Sequence, residues 1–169
     1  IWNGMSVLPE RIEAYSLTKK YLNNKIIIMT LDPELNITST ADLANVTLGT
    51  QVSSAALSTM QANPDWSTFE ANVTEYATYD EAILAMQGGR VQAIVVDQVL
   101  GEYKNANMDN AMSVCDFGFG DDFYAIGCRK GETDVADKIN EAIQALIDNG
   151  KAAEISEKWF GTNIVILVD

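Results

Sequence analysis

The sequence predicts an α/β fold in which strands alternate with helices, and three stretches carry that expectation. VTLGTQ (46–51) is a short β-rich run that breaks into Ser53 and Ser54, after which AALSTMQA continues with helical spacing. RVQAIVVD (90–97) is a nearly continuous Val/Ile run, the mark of a strand covered on both faces as in a parallel sheet, and it ends in an acid, Asp97. Asp134 to Ile147 sets Val135, Ile139, Ala142, Ile143 and Leu146 on one stripe, with Asn149 and Gly150 as the stop.

The remaining elements follow in chain order. IWNGM is an apolar start that reads as the end of a strand and runs at once into Ser, Pro, Glu and Arg. MTLDPELNITSTADLA is polar and carries a proline, so it is a loop leading to a helical turn at Thr40 to Leu43. Asp80 to Met86 is a short amphipathic helix with Thr78 as its cap and Gly88 and Gly89 as its close. Cys115 and Cys128 flank CDFGFGDDFYAIGC. A hairpin turning at Asp121 and Asp122 would bring them face to face within reach of a disulfide, and otherwise they are two buried thiols. After the long helix, AAEISEKWF forms another that stops at Gly161. Asn-x-Thr triplets at Asn36, Asn45 and Asn72 read as ordinary surface residues.

At 169 residues and 47% apolar, the chain can bury a sizeable core as one domain or two small lobes. Eleven Lys and Arg against 24 Asp and Glu give a net charge of −13, which repels phosphate backbones and excludes nucleic acid as a partner. The longest apolar runs, IIIM and IVILV, are strand-sized and do not span a bilayer. No basic segment followed by an apolar one opens the chain, so a secretory leader is absent or removed. With no histidine, His-based triads, His metal sites and His proton shuttles are excluded, and neither a metal nor another cofactor is expected.

Ligands of open α/β sheets sit outside the carboxyl ends of the strands. Two features lie there. QVSSAA would present the backbone N–H groups of Ser53, Ser54 and Ala55 at a helix start, a seat for a carboxylate. Asp97 is an anion suited to an ammonium group. Near the chain start Arg11 offers a planar fork for a carboxylate, while Ser6 and the carbonyl of Gly4 offer hydrogen bonds to an ammonium or a carboxylate. Singly, each is as well read as a surface arginine, a helix cap or a loop acid; together they describe a site for a zwitterion.

NGMSVLPER (3–11), LGTQVSSAA, YDEAILAMQGGRVQAIVVDQ, YAIGCRKGE and KINEAIQALIDNGKAAEISEKWFG resemble, in order and spacing, the extracellular polar amino-acid-binding proteins of ABC importers, solute-binding family 3. The resemblance covers nearly the whole chain. It implies a two-lobed, type II periplasmic-binding-protein-like fold whose lobes close over an amino acid about a two-strand hinge near Lys20 to Lys25 and Gly118 to Tyr124. By position, Arg11 would clamp the ligand α-carboxylate, helped by Ser6 and the N–H groups near Ser54 and Ala55. Gly4 and Asp97 would hold the α-ammonium, and Gln51 would reach towards the ligand side chain. Leu8 stands where the family commonly has Thr, and Ser53 where it commonly has Gly.

The resemblance further implies that the strand containing WNG is the third of lobe 1, so that two strands and their helices are missing. Lobe 1 would be a truncated remnant at 1–24 and 122–169, and lobe 2, at 25–121, would be complete. Ile1, Trp2, Met5 and the apolar faces of the C-terminal helices would then be bare. A swapped or intertwined homodimer, or a separate N-terminal fragment, is expected to cover them. The expected partners are a free amino acid and the membrane subunits of an importer. The expected location is extracellular or periplasmic, with any lipid anchor attached upstream of Ile1. The function implied is non-catalytic binding and delivery. The alternatives are a self-associating fragment without ligand binding, or a dehydratase-like enzyme of the same fold whose acid/base groups would have to be Asp97, Glu10 or nearby carboxylates.

Overall fold

The structure, a computed structural model, describes residues 1–169. In chain order its elements are β1 (Trp2–Ser6), α1 (Pro9–Ala14), β2 (Tyr15–Leu17), β3 (Lys20–Thr30), β4 (Leu48–Gln51), α2 (Ala55–Gln61) and α3 (Trp66–Phe69). There follow β5 (Val73–Tyr76), α4 (Tyr79–Gln87), β6 (Ala93–Asp97), α5 (Gln98–Ala106), β7 (Ser113–Arg129), α6 (Thr133–Asp148), α7 (Lys151–Phe160) and β8 (Val165–Val168). The chain divides into two compact units, one of Ile1–Asn24 with Asp121–Asp169 and one of Lys25–Gly120.

In the second unit β6 is buried along its whole length, as its apolar run requires. Its neighbours are mixed. β4 runs parallel to it (Leu48 opposite Ala93) and to β5 (Leu48 opposite Val73), but β3 is antiparallel, pairing Ile26 with Asp97 through to Thr30 with Ala93. A continuous apolar run reports two covered faces and leaves the direction of the neighbouring strands open. Ile83 and Met86 of α4 join Ile27, Met29, Val91, Ile94 and Val96 in the core. α5 lies so close to the sheet that a Cβ on Gly101 would stand 2.7 Å from Met29 Sδ.

Thr78 caps α4 as its sequence suggests, its Oγ1 accepting from Glu81 N at 3.2 Å, while Glu81 Oε2 accepts from Ala77 N at 3.1 Å. Two of the Asn-x-Thr asparagines are structural. Asn36 exchanges hydrogen bonds with Asp116 (Nδ2 to Oδ2, 2.6 Å), and Asn72 Nδ2 donates to the carbonyls of Leu43 and Ala44.

In the first unit β1 and β2 pair antiparallel with the last part of β7, and β8 pairs with the start of β3. A hairpin turning at Asp121 and Asp122 does not form. β7 is one strand of 17 residues, its two cysteines lie far apart along it, and both are free, buried thiols. No turn residue interrupts the β-forming pattern strongly enough to reverse it; Gly120, with φ 96°, is absorbed within the strand.

Met5, expected to be bare, is fully buried, because it lies over Gly127 of β7, where a Cβ would meet Met5 Cε at 2.6 Å. Ile1 (84% exposed), Trp2 (53%), Leu146 of α6 (41%) and Trp159 of α7 (64%) are open to solvent, so the apolar stripe of α6 is only partly covered.

Gly118 of β7 marks a close approach within the second unit, since an added Cβ would stand 2.9 Å from the Ile26 carbonyl oxygen. That neighbour is backbone and cannot rotate away. Gly118→Ala is expected to destabilise the chain by ~1–3 kcal/mol in urea denaturation. An unchanged midpoint would mean that the strands separate there without penalty.

Candidate functional site

The two units carry separate groups of the residues expected to meet a ligand. In the first unit, β1 pairs regularly at Met5 opposite Ala125 and Ser6 opposite Tyr124, but its register shifts between Trp2 and Met5. Gly4 sits in that irregularity with φ 68°, a conformation that only glycine adopts without strain. After Ser6 the chain turns, Pro9 starts α1, and the helix carries Arg11 back towards β1. Arg11 Nη1 donates to the Ser6 carbonyl at 3.2 Å, and the guanidinium lies 5.9 Å from the centroid of the Trp2 ring. One edge of the fork is thus anchored on backbone and ring while its remaining donors are uncommitted.

Ser6 is placed beside Arg11, with its hydroxyl proton already engaged. Ser6 Oγ donates to Asp122 Oδ2 at 2.8 Å, and Asn24 Nδ2 donates to the same oxygen at 2.7 Å, all three residues being buried. The Ser6 oxygen can therefore accept a hydrogen bond but has none to give. On the open side of β1, Tyr21 donates to Asn3 Oδ1 at 2.6 Å. Burial raises its phenol, with the Gly4 amide acting in the opposite direction.

In the second unit, β4 ends at Gln51 and the chain turns through Ser53, whose φ of 56° is left-handed. For a residue with a Cβ this costs roughly 1 kcal/mol, the physical reason for a glycine at such a turn. Ser54 caps α2, its Oγ accepting from Leu57 N at 3.1 Å while its carbonyl accepts from Ser58 N. Its own amide, expected among the ligand donors, instead closes the turn onto Gln51 O at 3.3 Å. The amides of Ala55 and Ala56 remain as first-turn donors with no acceptor inside the helix. Asp97 ends β6 and stands at the N-cap of α5, yet its side chain makes no capping bond, so the carboxylate is not there to hold the helix.

One residue of this group is not picked out by sequence reasoning. Tyr79, the first residue of α4, is 5% exposed, and its hydroxyl has no hydrogen-bond partner. Burial pushes its phenol up to about 12; the nearby Ser54 and Thr50 hydroxyls act against that rise, and the Asp97 charge adds to it. Thr50 Oγ1 donates to the Val95 carbonyl at 3.0 Å and lies 3.4 Å from Ser54 Oγ. The available signal was a tyrosine at a helix start otherwise followed by Ala82, Ile83 and Met86 on the core face.

Residues 1–162 match the family described as Bacterial extracellular solute-binding proteins, family 3. Among curated relatives, the L-arginine-binding protein of Pseudomonas aeruginosa is 28% identical, over 97% of this chain and 65% of its own length. The L-cystine-binding protein TcyA of Bacillus subtilis is 27% identical, over 92% of this chain and 56% of its own. The chain thus spans somewhat less than two thirds of these relatives. A solved ABC uptake transporter substrate-binding protein from Streptococcus pneumoniae, with bound histidine, superposes with a TM-score of 0.87 at 31% identity, covering 98% of this chain and 69% of that one.

Asp122 is the point on which the first group turns. Asp122→Ala leaves the Ser6 and Asn24 donors buried without their acceptor, and is expected to cost ~2–4 kcal/mol in denaturant unfolding, with Asp122→Asn, which keeps one acceptor oxygen, losing much less. A loss below ~1 kcal/mol for the alanine variant would mean that the two donors find other partners.

Proposed function

Because the chain belongs to the bacterial extracellular solute-binding proteins of family 3, we propose that it binds a free polar amino acid outside the cytoplasmic membrane and delivers it to the membrane subunits of an ABC importer. The first unit corresponds to lobe 1, and the second to lobe 2. Arg11 takes the ligand α-carboxylate, joined by the free first-turn amides at Ala55. The Gly4 carbonyl, the Ser6 oxygen and Asp97 take the α-ammonium, and Gln51 meets the side chain. Ser6 moves here to the ammonium side, since its proton is held by Asp122 and only its lone pairs are on offer.

The single observation that carries this reading is Arg11: a guanidinium braced on one edge by the Ser6 carbonyl and over Trp2, with the rest of its fork available for a bidentate carboxylate. Asp97 supports the complementary half, as a buried acid at a strand end that does no capping. The ligand class follows the relatives, which are named for arginine, cystine, glutamine and histidine. No helix is long and apolar enough to cross a membrane. No catalytic step is part of this reading: Glu10 is exposed, and Asp97 already has a binding role.

The exposed apolar residues of the first unit bear on assembly. Ile1, Trp2, Leu146, Ile155 and Trp159 are large apolar side chains left exposed in this unit. We propose that polypeptide covers them, as a second copy of the chain or as a preceding segment. Light scattering of the 169-residue chain is expected to report a dimer or larger; a compact monomer without aggregation would remove this part of the proposal.

The binding assignment is checked by a thermal-shift panel of the common amino acids. Ligand at 100 times its dissociation constant stabilises by ~2.7 kcal/mol, so one or a few polar amino acids are expected to raise the melting temperature. Arg11→Ala should abolish that shift and weaken affinity by ~2–5 kcal/mol, because the carboxylate loses its paired cation. Unchanged affinity in that variant would overturn the carboxylate assignment.

A further inference from the structure

The two units are joined by two crossings, Asn24 to Lys25 and Gly120 to Asp121. How far each crossing can flex is set by where side chains tie it down on either side.

On the side of the first unit the tie is Asp122. One of its oxygens accepts from Asn24 Nδ2 at 2.7 Å and from Ser6 Oγ at 2.8 Å, and all three residues are buried. Asn24 on one crossing and Asp122 on the other are thus bonded to each other, and pulling them apart would strand a buried donor beside a buried carboxylate. On the side of the second unit Ile26 is buried and pairs with Asp97 of β6, and Gly118 lies against the Ile26 carbonyl. The Phe119 ring packs at 5.3 Å from Phe117 and at 6.1 Å from the fully buried Phe69.

Between these ties remain Lys25 on the first crossing and Gly120 with Asp121 on the second, all exposed. Gly120 differs from the other two. Its φ of 96° lies where a residue with a Cβ is strained, and an added Cβ would meet nothing within 4 Å. No packing against its Cα restrains that dihedral, so within the long strand β7 it is a joint with room to turn.

We propose that Gly120 is the pivot between the two units, with flexion confined to Lys25, Gly120 and Asp121 by the Asp122 tie on one side and the Phe119 packing on the other. Lys20 to Asn24, Gly118 and Asp122 to Tyr124, which the resemblance includes in the hinge, then move as rigid parts of their units. This rests on the reading that the units move relative to each other when an amino acid binds.

Gly131 supplies the control. Its φ is 93°, an added Cβ there also meets nothing within 4 Å, and it lies inside the first unit, in the turn before α6. Gly120→Ala and Gly131→Ala therefore introduce the same dihedral strain, one at a crossing and one away from it. Spin labels on Gln87→Cys of α4 and Glu141→Cys of α6, one on each unit, report the distance between the units by double electron–electron resonance without ligand. Both positions are exposed, the two native thiols are buried, and dilution with unlabelled chain suppresses distances between copies. A second pair, Ser67→Cys with Gln87→Cys, lies wholly in the second unit and gives the spread of a rigid pair.

Both glycine variants are expected to melt below the parent by similar amounts. Only Gly120→Ala is expected to displace the mean distance between the units, because the alanine relaxes to an extended φ and re-aims one unit, and to narrow its spread. Asp122→Ala, which releases the tie, should broaden the spread, and Asp122→Asn, which keeps an acceptor oxygen, should not. A distribution in Gly120→Ala that matches the parent and Gly131→Ala would overturn the pivot and leave the motion standing. An unchanged spread in Asp122→Ala would overturn the confinement. A parent spread no broader than that of the rigid pair would remove the motion itself, and this inference with it. The measurement needs no ligand, so its outcome is independent of the thermal-shift panel.

Discussion

Within five residues β6 must satisfy two opposing demands, and the second unit is built around how it does so. Ala93 to Val96 are buried on both faces, and Asp97, the next residue, keeps a carboxylate while only 9% exposed. The acid falls where the strand gives way to α5, whose first amides present a positive end. The parallel pairing of β4 with β6 and with β5 has a second effect: the carboxyl ends of all three strands emerge on one edge of the sheet. The loop at Ser53 and Ser54, the cap of α4 at Thr78 with Tyr79, and Asp97 are therefore neighbours for a topological reason. Residues far apart in the chain share one corner because strand direction puts them there.

The first unit solves a related problem in another way. Asp122 is also a buried acid, but it is satisfied within the unit, with one oxygen accepting from both Ser6 and Asn24. Asn24 and Asp122 lie next to the two points where the chain leaves and re-enters this unit. A single carboxylate thus ties β1 to both ends of the crossing segments and fixes which way the Ser6 hydroxyl points. Asp122 accepts from two donors of its own unit, whereas Asp97 stands at the N-cap of α5 without a capping bond from its side chain.

What could be read from residues alone follows from how local the cause is. The helix at Tyr79–Gln87 with its Thr78 cap, the buried strand ending in Asp97 and the turn before Ala55 each depend on a few adjacent residues, and their patterns are legible. β7 was not, because Asp121 and Asp122 carry turn chemistry while the strand through them is held by partners distant in sequence, β1 and β2 on one stretch and β3 along another. The direction of β3 against β6 was hidden for the same reason. Met5 looked bare because its cover is Gly127, a position with no side chain to announce a contact. Tyr79 could be seen as a helix residue, but the absence of a partner for its hydroxyl is a property of the packed structure.

The departures from local rules fall into two kinds, and their character suggests what answers each. At the corner of the second unit they are small and polar: a left-handed Ser53, an unpaired Tyr79 hydroxyl and a non-capping Asp97. Strain and unmet hydrogen bonds of this size, ~1–3 kcal/mol apiece, are answered by a few well-placed polar atoms, which is what a small zwitterion brings. In the first unit the departures are apolar, with Ile1, Trp2, Leu146 and Trp159 exposed. At ~25 cal/mol per Å² such surface gains little from a small polar ligand and much from burial against another polypeptide face. Because the two departures differ in kind, the ligand binding and the assembly proposed above would be separable, and a change that abolishes one need not disturb the other.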